Sequence, residues 1–164
     1  MTQPKSALII GAGDATGSAI ARRFAREGYV ACVTRRTADK LVPLVDRIQA
    51  ERGHGTILFT GATASLRGSA GFSAFAGAKH ALRALGQSMA RELGPQGVHV
   101  AHVVIDGAID TAFIAENFPE RYALKDRAGI LDPEHIADNY WHLHQQPRSA
   151  WTHELDLRPW METW

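Results

Sequence analysis

Residues 7–17 read ALIIGAGDATG, an unbroken apolar run that closes on a glycine and passes into a different periodicity. A short continuous apolar run bounded by glycine has the pattern of a strand buried on both faces of a parallel sheet. From Thr16 onward Ile20, Ala21, Phe24 and Ala25 share one face, Arg22, Arg23 and Arg26 take the other, and Gly28 closes the segment. That is the pattern of a helix with its C-terminal glycine. A strand that turns straight into a helix aims backbone N–H groups at the point of entry, where the helix dipole favours an anion and small residues permit close approach. Gly11, Gly13, Asp14, Ala15, Thr16 and Gly17 are therefore candidates to hold a dinucleotide pyrophosphate.

The alternation continues outward. YVACV at 29–33 reads as a second strand, and Thr37 is a suitable N-cap for a helix through Leu41, Leu44, Val45 and Ile48, with Pro43 confined to its early turns. TILFT at 56–60 is a third strand. A long helix then runs from about Ser73 to Leu93, with Ala78, Ala81, Leu82, Leu85, Met89 and Leu93 at helical spacing, and GPQG stops it. VHVAHVVI at 98–105 is a fourth strand, Asp132-Pro133 opens a helix through Ile136 and Tyr140, and Trp151 to Leu157 alternates as a last strand. Strands alternating with helices predict an α/β fold with a Rossmann-like, doubly wound parallel sheet in three layers, one domain over residues 1–164.

The second strand ends VTRR. A carboxylate at that point bonds the adenosine ribose of NAD, whereas arginine accommodates the extra phosphate of NADP, so Arg35 and Arg36 favour NADP. Asp14 works against this if its carboxylate points at that phosphate.

Composition removes other classes. The chain has 164 residues, 45% of them hydrophobic, and 18 basic against 17 acidic side chains give a net charge of +1 without clustering. Such a balance leaves no footprint for nucleic acid or an anionic membrane surface. The start MTQPKSALII falls short of a signal peptide or a membrane span. The single cysteine, Cys32, lies in the apolar run VACV and rules out an internal disulfide framework, so a reducing, cytoplasmic setting is expected. Eight histidines raise a metal reading, but the closest pair, His142 and His144, stands two apart on a helix and faces different ways. No metal is expected.

GAGDATG after a strand, AFAGAK opening a long helix and GAIDT after a later strand together resemble the short-chain dehydrogenase/reductases over nearly the whole chain. The resemblance implies an NAD(P)-dependent oxidoreductase acting on a carbonyl or alcohol. It also assigns residues. The family's glycine loop is matched by Gly11, Ala15 and Gly17, its middle glycine replaced by alanine. Its Tyr-x-x-x-Lys pair becomes Phe75 and Lys79. Its serine, thirteen residues before the tyrosine, becomes Ala62. Its Pro-Gly followed by a hydrophobic residue and a threonine, which hold the nicotinamide, is met by Asp106, Gly107, Ile109 and Thr111.

The departures carry chemistry. In the family the tyrosine is the general acid or base and the serine holds the substrate oxygen. Phe75 has no titratable proton and Ala62 no donor. Lys79 keeps the family's second role, binding the nicotinamide ribose. Replacement donors would have to come from Thr60, Thr63, Ser65, Ser73, His80 or His102. The alternative is a non-catalytic NADP-binding or scaffold protein that retains the cofactor surface.

A second departure is larger: the family has two further strands between the second helix and the strand before the serine, and here RIQAERG runs directly into HGTILFT near residues 52–54. Either a segment is omitted there, the reading the close flanking match favours, or the shortened chain folds as it stands with strand order 2-1-3-4-5. Trp151, Trp160 and Trp164 in the last sixteen residues suit packing on another subunit, so a homodimer or homotetramer is expected.

Overall fold

The computed structural model describes residues 5–10, 14–34 and 55–163, with side chains at residue 9, residues 15–29 and residues 55–163. Five parallel strands, β1 (Lys5–Ile10), β2 (Tyr29–Thr34), β3 (Gly55–Thr60), β4 (Val98–Ile105) and β5 (Glu154–Leu157), form one sheet in the order β2-β1-β3-β4-β5. Thus β3 lies directly beside β1, with Leu8 opposite Ile57 and Ile10 opposite Phe59. The helix read from Thr37 lies outside the described residues.

Side-chain alternation on the strands divides the core in two. Leu58, Ala101, Val103 and Ile105 face α1 (Asp14–Arg26) and a later helix at Pro133–Gln145, where they meet Ala19, Ile20, Phe24, Ile136, Tyr140 and Trp141. Ile57, Phe59, Val98 and Val100 face the opposite way and are covered by α2 (Ser73–Leu93) through Leu82, Met89 and Leu93. Helices therefore lie on both sides of a sheet whose strands are apolar on both faces, the three-layer arrangement expected of the sequence.

Two expectations are corrected. Of the helical stripe on α2, only Leu82, Met89 and Leu93 turn to the sheet, while Ala78, Ala81 and Leu85 point outward. An apolar face wider than one sheet can cover must leave part of itself exposed. The last strand begins at Glu154 instead of Trp151, because Gln146 holds the preceding residues: its side-chain carbonyl accepts from Thr152 N at 2.8 Å and its backbone carbonyl from Trp151 Nε1 at 3.2 Å.

The stretch after β4 is more ordered than a featureless loop. Thr111 Oγ1 accepts from Ile114 N at 3.2 Å and caps α3 (Ala112–Asn117), which is followed by α4 (Pro119–Tyr122). The base of the excursion is pinned where Asp110 N donates to Leu131 O and Leu131 N to Ala108 O. Asp132 then caps α5 (Pro133–Gln145) by accepting from Glu134 N at 2.8 Å, with Pro133 at the first position, where its missing N–H costs nothing.

Candidate functional site

The sheet reverses its winding between β1 and β3: the chain leaves β1 for β2 on one side and builds β3, β4 and β5 on the other. Loops at the carboxyl ends of strands diverge at such a point and leave a crevice. A cleft of about 590 Å³ lies there, walled by Ala15 and Thr16 from α1, residues 60–64, 67 and 69 at and beyond the end of β3, the start of α2, and residues 105, 107, 109, 111 and 114 at and beyond the end of β4.

Lys79, one turn and a half into α2, reaches this cleft and donates from Nζ to the Thr60 carbonyl at 2.8 Å. Burial lowers its pKa from the ordinary lysine value. An ammonium has three N–H donors, and Lys79 makes no second hydrogen bond among the described residues. Its Nζ also lies 5.8 Å from the centre of the Phe75 ring, a favourable contact of a cation with an aromatic face. Phe75 and Ala62 both line the cleft, so the two positions that the resemblance matches to a tyrosine and a serine face the same space as the lysine. Ile109 and Thr111 line it from the far side. Thr111 accepts as helix cap through Oγ1, which leaves its hydroxyl hydrogen to be donated.

The other sequence candidates separate. Ala15 and Thr16 reach the cleft, Gly17 is buried in the first turn of α1, and Asp14 opens that helix. Gly11, Gly13, Arg35 and Arg36 lie outside the described residues. Thr60 turns its hydroxyl to the far face, where it shares a 2.8 Å hydrogen bond with the buried Tyr140; burial raises that tyrosine's pKa, so it stays protonated. Ser65 is buried and its Oγ accepts from Ala62 N. Ser73 is exposed, and His80 is bonded through Nδ1 to the Ala76 carbonyl on its own helix. His102 is fully buried under the Gly61 backbone; its Nδ1–H donates to Glu154, whose carboxylate is held bidentately by Arg83. None of Ser65, Ser73, His80 and His102 lines the cleft.

Three contributors were not legible from spacing. Arg67, Ser69 and Phe72 line the cleft from the loop between β3 and α2. Asp106, which stands where a proline is usual, is 2% exposed and accepts from the Thr63 hydroxyl, tying that loop to the end of β4. Its other oxygen faces Arg67 at 3.8 Å and Arg158 at 3.6 Å. Gly107 follows with φ +145°, and a Cβ there would meet Pro159 Cδ at 2.8 Å, which is why that position needs glycine.

Among the described residues no group of histidine, cysteine or carboxylate side chains could hold a metal, and no helix is long and apolar enough to cross a membrane.

Residues 47–121 match the family described as short chain dehydrogenase. Among solved structures, a short-chain dehydrogenase from Rhodopseudomonas palustris is 31% identical, over 97% of this chain and 100% of that one, with a TM-score of 0.65. A 3-ketoacyl-(acyl-carrier-protein) reductase from Brucella melitensis, solved with NADH, is similar in fold at 16% identity, covering 96% and 98% of the two chains with a TM-score of 0.71. ElxO with NADP bound is similar in fold at 13% identity, over 95% and 98%, with a TM-score of 0.69. Nothing among curated proteins matches. A parallel sheet reversing at β1/β3, a lysine in the crevice at that reversal and a relative 31% identical from end to end place the chain in the short-chain dehydrogenase family.

Proposed function

We propose that the chain is an NADP-preferring oxidoreductase acting on a small carbonyl or alcohol substrate, with its proton-transfer apparatus reduced. The observation that carries this reading is Lys79, held by the Thr60 carbonyl in a cleft at the carboxyl ends of the strands, with N–H donors left for a ligand.

The residues present fit a nicotinamide dinucleotide. Ile105 and Ile109 offer apolar wall, Thr111 a hydroxyl, Lys79 a cation, and Ala15 and Thr16 lie at the N-terminal end of a thirteen-residue helix suited to a pyrophosphate. When bound, the nicotinamide supplies or accepts the hydride. The chain's own groups bind and orient: Lys79 for the ribose hydroxyls, Gly11, Gly13 and Gly17 for the pyrophosphate, Arg35 and Arg36 for the 2′-phosphate. Asp14 reduces the NADP preference if it approaches that phosphate. Phe75 and Ala62 contribute shape and exclude water but move no proton.

Other parts of the reading are a single nucleotide-binding domain over 1–164 with a shortened stretch near 52–54, a homo-oligomer, and a cytoplasmic setting. The intact mass of the purified chain decides the shortened stretch. Titrating NADPH and following its fluorescence tests the whole: saturable binding at micromolar cofactor is expected, and none at millimolar cofactor would defeat the proposal.

A second reading, a cofactor-binding protein without catalysis, is favoured by the loss of both hydroxyls. A Tyr-to-Phe variant of ElxO, similar only in fold at 13% identity, has NADPH bound. Carbonyl turnover by the parent chain separates the two readings.

A further inference from the structure

The loop from Gly61 to Gly71 forms one side of the cleft and carries a charge that neither the hydride chemistry nor the cofactor reading uses. Of the described side chains lining the cleft two are charged, Arg67 and Lys79, and both are cations. The rest are apolar or carry hydroxyls; Phe72, Phe75 and Ile114 supply the bulk of the apolar surface at the α2 and α3 edge.

Arg67 keeps its hydrogen-bond donors unused beside the neighbouring carboxylate. Its guanidinium lies 3.8 Å from Asp106 Oδ2, beyond hydrogen-bond distance, and it makes no hydrogen bond among the described residues. That buried carboxylate also accepts from the Thr63 hydroxyl and faces Arg158 at 3.6 Å, and the Arg158 guanidinium is itself bonded to Asp156. The Arg67 side chain is 46% exposed and lines the cleft, whereas that of Arg158 is 14% exposed. Asp106 thus fixes where Arg67 stands without consuming its donors. A planar guanidinium with unused N–H groups at the rim of an otherwise apolar cleft is built to take a carboxylate or phosphate bidentately.

We infer that the substrate is an anionic carbonyl or alcohol with an apolar body, its carboxylate or phosphate held by Arg67 and its apolar part against Phe72, Phe75 and Ile114. This rests on the oxidoreductase reading of the same cleft. Arg67 is a specificity-determining residue here, because anion capture orients the substrate while Lys79 remains with the cofactor.

The test compares phenylglyoxylate with its uncharged methyl ester, which share a carbon skeleton. Each is titrated calorimetrically into the parent chain, Arg67→Gln and Arg67→Lys, with and without NADPH, while NADPH affinity is measured separately by fluorescence. The parent is expected to prefer the acid by about tenfold or more, the worth of a hydrogen bond to a charged group. Arg67→Gln is expected to bind acid and ester alike, and Arg67→Lys to keep part of the preference. Raised salt should weaken acid binding and leave the ester unchanged. Equal binding of acid and ester by the parent overturns the inference, as does a loss of NADPH affinity in Arg67→Gln with the acid preference intact, which would give Arg67 to the cofactor. A parent that binds no NADPH yet prefers the acid defeats the oxidoreductase reading and leaves Arg67 an anion site; thermal melting of Arg67→Gln at the parent's temperature shows that the exposed change has not unfolded the chain.

Discussion

Lys79 Nζ donates to the backbone carbonyl of Thr60 at 2.8 Å, so the last residue of β3 aims the side chain of α2. The bond fixes one of three N–H donors and leaves the ammonium in a partly dry site, which lowers its pKa. Replacing Lys79 by Met keeps the stem and removes the charge. NADPH affinity should fall about 10- to 100-fold, as for the loss of one hydrogen bond to a charged group. Stability should move the other way. With the folded pKa depressed, the unfolded chain binds more protons between the two pKa values, so the parent gains stability as pH rises towards the ordinary lysine value of 10.5. Lys79→Met should lack that rise and melt slightly higher at neutral pH. Melting curves across alkaline pH check the sign, and a variant less stable than the parent at every pH would contradict it.

Phe75 is 48% exposed and its ring faces the cleft, so a hydroxyl added there meets solvent and ligand instead of a buried core. Phe75→Tyr should therefore be nearly neutral for stability, and paired with Ala62→Ser it restores an acid and an oxygen-holding donor beside Lys79. NADPH consumption with a reducible carbonyl should rise about 100- to 10,000-fold in the double variant, the usual worth of a general acid. An unchanged rate in the double variant, with cofactor still bound, would mean that the cleft geometry cannot place a substrate at these positions.

The fold was legible because strand burial leaves an unmistakable trace. ALII, YVACV and VHVAHVVI are apolar on both faces, and the structure uses both faces of β4 against different helices. The lysine was legible because Phe75 and Lys79 lie one helical turn apart, a spacing that survives any tertiary arrangement. Arg67 was not, and Asp106 was legible only as a departure from Pro-Gly, without its tie to the cleft wall. They belong to separate loops and meet only because Thr63 and Asp106 join the ends of β3 and β4, a relation across 43 residues that no local pattern encodes. The outward turn of Ala78, Ala81 and Leu85 was hidden for a related reason, since periodicity reports that a helix has an apolar face but not how much of it a sheet covers.

His102 is buried with its pKa lowered from 6.5, chiefly by desolvation, although Glu154 partly opposes this. The folded chain thus resists its protonation more than the unfolded chain does. Stability should be lost as pH falls through about 6.5 and below, because the unfolded state takes up the proton first. Glu154 adds a second loss at lower pH, since its carboxylate is held below the ordinary 4.5 by Arg83 first and His102 after it. His102→Gln should flatten the first step and leave the second. Chemical denaturation at a series of pH values resolves the two, and a variant that keeps the full loss near pH 6 would assign that step elsewhere, with His99, also lowered by burial, the next group to replace.

Gly61 stands where β3 gives way to the cleft wall, and its N–H extends the ladder by donating to the Val103 carbonyl at 2.7 Å. A Cβ at this position would lie 2.4 Å from His102 Nε2 and 2.9 Å from Ser65 Oγ. Neither neighbour can retreat easily, because the imidazole is tied to Glu154 and the serine hydroxyl accepts from Ala62 N. Gly61→Ala should therefore lose about 1–3 kcal/mol, the cost of overpacking a filled core. The conflict is steric and local, so shortening the ring should relieve it: in Gly61→Ala with His102→Ala the second change should cost less than His102→Ala alone. A double-mutant cycle in denaturant measures that difference. A coupling of zero would mean that the wall after β3 shifts to admit the methyl group, in which case Gly61→Ala should instead show itself as a change in NADPH affinity, since Ala62 and Thr63 move with it.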